Sequence, residues 1–240
     1  MRIPRRHLRL YVAASSLIGV LSAATLRAQV AAPSPQAHDH DQSGGRVILL
    51  PKDLEIRLAA NALPKELREG ATVLVLEDRG YVKVRQGTNP FTCIVSRRGG
   101  NFYPVCFDEE GARTILIAFM DDAVLRLKGN SDHEIDRQIA DGFERGRYRP
   151  PSRPGIAYML SPATYMLNSG KLARTPPHTM FYVPFLTDAD IGGIMGKTAF
   201  VDRPGPHGMV IVLAGQKERE ALLAESQSLV DEVERQIGLK

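Results

Sequence analysis

No nucleophile elbow, phosphate loop or helix-borne histidine pair occurs in this 240-residue chain. Ser161 and Ser169 lack the Gly-x-Ser-x-Gly frame that lifts a serine onto a strained strand-to-helix turn, which excludes that class of acyl-transfer enzyme. Gly192 to Thr198 ends in Gly-Lys-Thr, but three residues follow the first glycine where a phosphate loop needs four, so a nucleotide cradle is excluded too. There are two cysteines, Cys93 and Cys106, too far apart in sequence for the Cys-x-x-Cys spacing that depresses a thiol pKa. Beyond residue 28 no apolar run is long enough to span a bilayer, and no internal repeat is visible.

A surplus of charge is also missing. The chain has 31 basic and 27 acidic residues, but five of the arginines fall within residues 1–28, where there is no acid. The remainder holds 26 basic against 27 acidic residues, a net charge of −1. A nucleic-acid partner needs a clustered positive footprint, and this balance supplies none. The short run of Arg145, Arg147, Arg149 and Arg153 reads as a solvated linker.

Residues 1–28 have the form of a secretory signal. Arg2, Arg5, Arg6 and Arg9 precede an uncharged stretch from Val12 to Leu26, and small residues surround Ala28, the expected cleavage point. The Arg5-Arg6 pair leaves Sec and twin-arginine export both open. Residues 29–46 are Ala, Pro, Ser, Gln, His, Asp and Gly, with too little apolar surface to offset ordering, so a disordered leader is expected. Its His38-Asp39-His40-Asp41 run alternates imidazole and carboxylate without preorganised geometry. The domain is expected over 47–214, followed by an amphipathic helix over 215–240.

A strand is expected at Val47 to Leu50, then a helix over about 53–62 entered at Pro51 and stopped by Pro64. Ala71 to Glu77 and Tyr81 to Gln86 flank Asp78-Arg79-Gly80 as a β-hairpin. The next hairpin carries the sharpest expectation. With Gly99 and Gly100 as a two-residue turn, Val95 faces Pro104, Ile94 faces Val105 and Cys93 faces Cys106. Opposed residues of an antiparallel pair lie within disulfide reach, and an exported protein meets an oxidising compartment, so a Cys93–Cys106 bond is predicted. Pro104 suggests that this hairpin lies at a sheet edge.

Leu116, Phe119, Met120, Ala123, Val124 and Leu127 form a helical stripe stopped at Gly129. Ser131 to Glu134 is a capping box opening a second helix, lined by Ile135, Ile139 and Phe143. Gly155–Ser161, His178–Phe185 and His207–Leu213 each follow Pro or Pro/Gly breakers and read as buried strands at the centre of the sheet. Leu222, Leu229, Val230, Val233 and Ile237 share a face of the last helix, which either docks on the sheet or protrudes to a partner.

The fold expected is α+β: a mostly antiparallel sheet with a disulfide-stapled edge hairpin and helices packed on one face. Two sites follow from the central strands. Were they parallel, His178 and His207 would share a sheet edge, and Asp188 and Asp190, or Asp202, would complete a divalent-metal site. Tyr158, Phe181 and Tyr182 would line a ligand pocket. No resident cofactor is otherwise expected.

Thr92-Cys93, Pro154 to Pro162, Pro177 to Tyr182, Leu186 to Gly192 and Gly205-Pro-His-Gly208 together resemble a group of uncharacterised exported bacterial proteins. The resemblance spans roughly residues 70–213; it implies export and a single domain, and no activity. The leading expectation is therefore a non-catalytic protein of the periplasm or cell envelope, or secreted, binding a small ligand or an envelope protein. A metal-dependent hydrolase centred on His178 and His207 is the first rival. An assembly protein using the last helix is the second.

Overall fold

The computed structural model describes residues 47–240. The expected signal at 1–28 and leader at 29–46, with its His/Asp run, lie outside the described residues. Among those described, no helix is long and apolar enough to cross a membrane.

The chain enters along Val47 to Leu50. No strand forms there: the Ile48 carbonyl accepts a hydrogen bond from the Arg97 side chain (2.9 Å) instead of joining a ladder. Helix α1 (Lys52–Ala60) follows Pro51 and buries Leu54 and Leu58, four residues apart on one face. Strands β1 (Thr72–Glu77) and β2 (Gly80–Arg85) form the expected hairpin, with a register shift between Val73 and Leu74.

Strands β3 (Thr92–Ser96) and β4 (Tyr103–Phe107) pair in the expected register, Cys93 opposite Cys106 and Val95 opposite Pro104. The two cysteines are disulfide-bonded, with Cα atoms 4.0 Å apart. At the turn, Asn101 donates its backbone N–H to the Arg98 carbonyl, and Gly99 and Gly100 both have positive φ. That backbone needs glycine.

Helices α2 (Glu109–Leu127) and α3 (Asp132–Glu144) come next, α2 capped by Asp108 and α3 by the complete Ser131/Glu134 capping box. Strand β5 (Ile156–Met159) leads to a small separate hairpin, β6 (Tyr165–Asn168) and β7 (Lys171–Arg174). Strand β8 (His178–Tyr182) is followed by an excursion holding the one-turn helix α4 (Asp188–Ile191). Strands β9 (Phe200–Asp202) and β10 (Met209–Leu213) return to the sheet, and helix α5 (Gln216–Gln236) closes the chain.

The main sheet has eight strands in the order β2-β1-β3-β4-β5-β8-β10-β9. Among the described residues its only parallel pair is β1 with β3, and every other neighbour is antiparallel. The α+β class, the mostly antiparallel sheet and the disulfide-stapled hairpin are thus as expected. Two details differ. The stapled hairpin is interior, in the third and fourth places of the sheet. Pro104 is tolerated because the β4–β5 ladder holds only Cys106 and Phe107, so the neighbouring strand has ended before its missing N–H is reached.

Helices also cover both faces rather than one. Val73, Val75, Cys93, Val95 and Cys106 pack with α1 and with Val230 and Val233 of α5. Ile94, Val105 and Phe107 point the other way, onto Ile115, Leu116 and Phe119 of α2. Helix α3 lies outside α2, with Ile135 and Ile139 against Ala118. All five residues of β4 are buried, which a strand achieves only when covered on both sides. Strands β5, β8 and β10 are adjacent, but they build one half of the sheet rather than its centre.

Candidate functional site

Strands β8 and β10 are antiparallel, with His178 opposite Leu213 and Tyr182 opposite Met209. His207, two residues before Met209, therefore lies beyond the end of the ladder remote from His178. The chain runs first through the edge strand β9 and then turns back, so no parallel crossover forms. Each imidazole donates one ring N–H to a nearby backbone carbonyl where it stands. His178 donates Nδ1–H to the Pro176 carbonyl (2.9 Å), and His207 donates Nε2–H to the Arg149 carbonyl (2.9 Å) while standing edge-on to Phe143.

The carboxylates proposed with them are committed locally. Asp188 Oδ1 accepts the Val201 N–H (2.7 Å), and Asp190 Oδ2 accepts the backbone N–H and hydroxyl of Thr187 (2.8 and 2.7 Å). Asp202 sits in β9 opposite Met209. Among the described residues no three His, Cys, Asp or Glu side chains are grouped as metal ligands. The two-histidine site expected from the sequence is not assembled, because strand direction separates its halves.

Burial holds both histidines below the ordinary imidazole range, His207 at about 4. The unfolded chain takes up a proton near pH 6.5, whereas the fold resists protonation of His207 until about pH 4. Its contribution is complete above pH 6.5 and is lost as pH falls through that window, by up to about 3 kcal/mol. Urea midpoints at pH 7.5 and 4.5 should show this loss, and His207→Gln should reduce it. An equal fall in the variant would assign the acid sensitivity elsewhere.

Tyr158, Phe181 and Tyr182 do not line one pocket. Tyr158 pairs with Thr179 and Ile156 with Phe181, which places Tyr158 and Phe181 on one face of the sheet. Tyr182, adjacent to Phe181, points to the other. Its hydroxyl donates to the Ile156 carbonyl (2.7 Å) and lies 3.1 Å from Asp108 Oδ1. Gly111 and Gly155 press against its ring; a Cβ on Gly111 would stand 2.0 Å from the hydroxyl oxygen. Tyr158 packs on Phe91, and Phe181 is 44% exposed.

A concavity lies where no site residue was expected. Helix α5 docks alongside α1, and between them is a groove of about 310 Å³ that extends to the end of β2. Ile56 and Ala60 of α1 and Leu229 of α5 form its apolar wall, and Asn61 and Ser226 face each other within it. The Asn61 amide donates to Ser226 Oγ (3.0 Å) across a sequence separation of 165 residues. Asn61 is only 5% exposed, and its Oδ1 has no hydrogen-bond partner. A buried acceptor left unpaired is costly, and because Oδ1 is sealed from solvent that cost is borne where α1 packs against α5.

Charged side chains form the rest of the lining. Arg57 is bidentate to Glu232 of α5 (2.8 and 2.9 Å), and Arg68 pairs with Glu225. Arg85, at the end of β2, donates Nε–H to the Ala71 carbonyl (2.9 Å) and Nη2–H to the Arg68 carbonyl (2.6 Å). These two bonds fix its fork without using all five donors. Glu69 completes the lining. The far part of α5 is held separately: Glu234 accepts the Tyr165 hydroxyl (3.1 Å) and pairs with Arg174 and Lys240.

The sequence marked Asn61 only as the end of α1 and Arg85 only as a strand residue. Their meeting with α5 is a tertiary event. The polar Asn61 amid the apolar Leu58, Ala59, Ala60, Ala62 and Leu63 was the available signal.

No protein-family model, curated protein or solved structure matches this chain. The resemblance to uncharacterised exported bacterial proteins therefore gains no support from these comparisons. What stands is the α+β fold, its disulfide and the groove.

Proposed function

We propose that this is a non-catalytic binding protein of the periplasm or cell envelope, and that it takes a small ligand between α1 and α5. The observation that carries the reading is the groove itself, with an apolar wall of Ile56, Ala60 and Leu229 and a charged rim. The disulfide fits an oxidising compartment, in keeping with the secretory form of residues 1–28. Ser228 lines the groove and is exposed, so Ser228→Trp should fill it without disturbing the core. Native mass spectrometry of protein isolated from periplasm should show a small-molecule adduct that Ser228→Trp loses while keeping its unfolding midpoint. An adduct retained by the blocked variant, or none on either protein, would defeat the proposal.

Docking to another envelope protein is the second reading. It is favoured by Phe185 and Met195, which are 64% and 76% exposed on the excursion between β8 and β9. Exposed large apolar side chains beyond the scattered single residue of an ordinary surface often mark contacts. Assembly through the last helix is the third reading: α5 is docked through Val230 and Val233, which leaves its opposite, charged face to a partner.

A further inference from the structure

We infer that β2, the open edge of the main sheet, docks an extended acidic segment of a partner protein, which joins the eight strands as a ninth. The inference does not depend on what the groove between α1 and α5 holds.

The two edges of the sheet are finished differently. Edge strand β9 has three residues, and Asp188 of the preceding excursion accepts its Val201 N–H (2.7 Å), so that edge is capped from within the chain. Edge strand β2 has six residues, Gly80–Arg85, and no proline. Leu76, opposite Tyr81, gives its N–H to Glu55 Oε1 (3.0 Å) on the side of β1 away from β2. That marks the Leu76–Tyr81 pair as one without ladder bonds, so the Tyr81 N–H and C=O turn outward. Lys83, two residues on and opposite Leu74, turns the same way. Among the described residues no other strand or loop backbone bonds to these four groups. Val82 between them is 38% exposed and Lys83 is exposed, which leaves the edge open.

Charge sets the chemistry of the partner. From residue 79 to residue 86 the chain carries Arg79, Lys83 and Arg85 and no acid. None of the three is in an ion pair among the described residues. Lys83 and Arg85 stand opposite Leu74 and Val73, which pack on opposite faces of the sheet, so an added strand meets a cation on each face. A second copy of β2 is a poor occupant. Two-fold antiparallel pairing centred on Tyr81, Val82 or Lys83 sets Arg79 against Lys83, Arg79 against Arg85, or Lys83 against its own copy. Like charges directly opposed are destabilising, whereas carboxylates in those places supply the counter-ions that the chain leaves out. Backbone bonds to Tyr81 and Lys83 then hold the strand, and its acids select it.

Three blocked hexapeptides test this on the full chain: acetyl-Glu-Val-Thr-Val-Thr-Glu-amide, its counterpart with lysine at both ends, and the acidic peptide N-methylated at its two central residues, which removes a donor from each edge. Calorimetry should show the acidic peptide binding at least tenfold tighter than either control. Hydrogen exchange at the Tyr81 and Lys83 amides should slow at least tenfold on saturation. Lys83→Pro removes an outward N–H that the ladder does not use, so it should keep the unfolding midpoint and lose the peptide. Where the proline upsets the strand, Lys83→Glu keeps the backbone and should cut the preference for the acidic peptide at least threefold. Ser228→Trp, which fills the groove, should bind the peptide as the wild type does. Equal binding of either control, an unchanged preference in Lys83→Glu, or no binding of the acidic peptide at millimolar concentration overturns the inference. Slowed exchange confined to residues outside β2, or binding lost in Ser228→Trp, overturns it as well.

Discussion

Arg97→Ala is expected to destabilise the fold by about 3–5 kcal/mol, the usual consequence of stripping one partner from a buried ion pair. Arg97 and Glu55 are 2% and 0% exposed, beneath β1 and β3 on the α1 side of the sheet. The guanidinium donates to Glu55 Oε2 (3.1 Å), to the Ile48 carbonyl (2.9 Å) and to the Val95 carbonyl, and lies over the Phe102 ring at 4.4 Å. Glu55 Oε1 accepts the Leu76 N–H (3.0 Å). Burial raises the Glu55 pKa, and the charge of Arg97 opposes that rise.

Without Arg97 the carboxyl pKa climbs further above its unfolded value. For an acid so shifted, stability is full below the unfolded pKa and falls as pH rises through the folded one. The Arg97→Ala defect should therefore be smaller near pH 4 than at pH 7, which separates a stranded charge from lost packing. Glu55→Leu combined with Arg97→Met should be far less damaging than the sum of the single changes. Denaturant unfolding of the wild type, Arg97→Ala, Glu55→Leu, Arg97→Met and the double variant tests this. Additive losses, equal at both pH values, would show that the pair acts only as filler.

The second large effect is expected from the disulfide. Cys93→Ala with Cys106→Ala should cost about 2–5 kcal/mol, the range for a native bridge whose loop-closure constraint is removed. Both cysteines are fully buried in the interior strands β3 and β4, so the double change also opens space between α1 and the sheet. Urea unfolding of oxidised protein, reduced protein and the double variant should place both altered forms well below the first. The reduced wild type should be the more stable of the two, because it keeps the sulfur volume. Equal midpoints for all three would mean that the bridge contributes nothing to the folded state.

The legible parts of this fold were local. Gly99-Gly100 fixed the register of β3 and β4 through positive φ, and that register brought Cys93 to Cys106. The capping box at Ser131 and Glu134 declared its helix within four residues. Distant pairings were harder to read. The direction of β10 against β8 depends on the chain visiting β9 first, and Phe200–Asp202 is too short to announce a strand by alternation. Helix cover on both faces was implicit in the almost uninterrupted apolar run of β4, which Pro104 made look like an edge.

The β6–β7 hairpin escaped notice as well, although Ser169-Gly170, both at positive φ, is a turn signal of the same kind as Gly99-Gly100. The groove had no sequence signature. It joins Asn61 to Ser226, and periodicity reports which face of a helix is apolar but not which distant helix will cover it.

Because α1 and α5 are the first and last helices of the described chain, their meeting closes a long loop. Such closure pays its entropy before its contacts reward it, so the groove belongs to the late part of folding. It does not exist in a chain whose last helix is unmade or undocked. A ligand held there binds the finished fold alone and stabilises it by mass action. Occupancy would then act as a clasp on the two ends of the domain and suppress the fraying that the termini of a fold otherwise undergo.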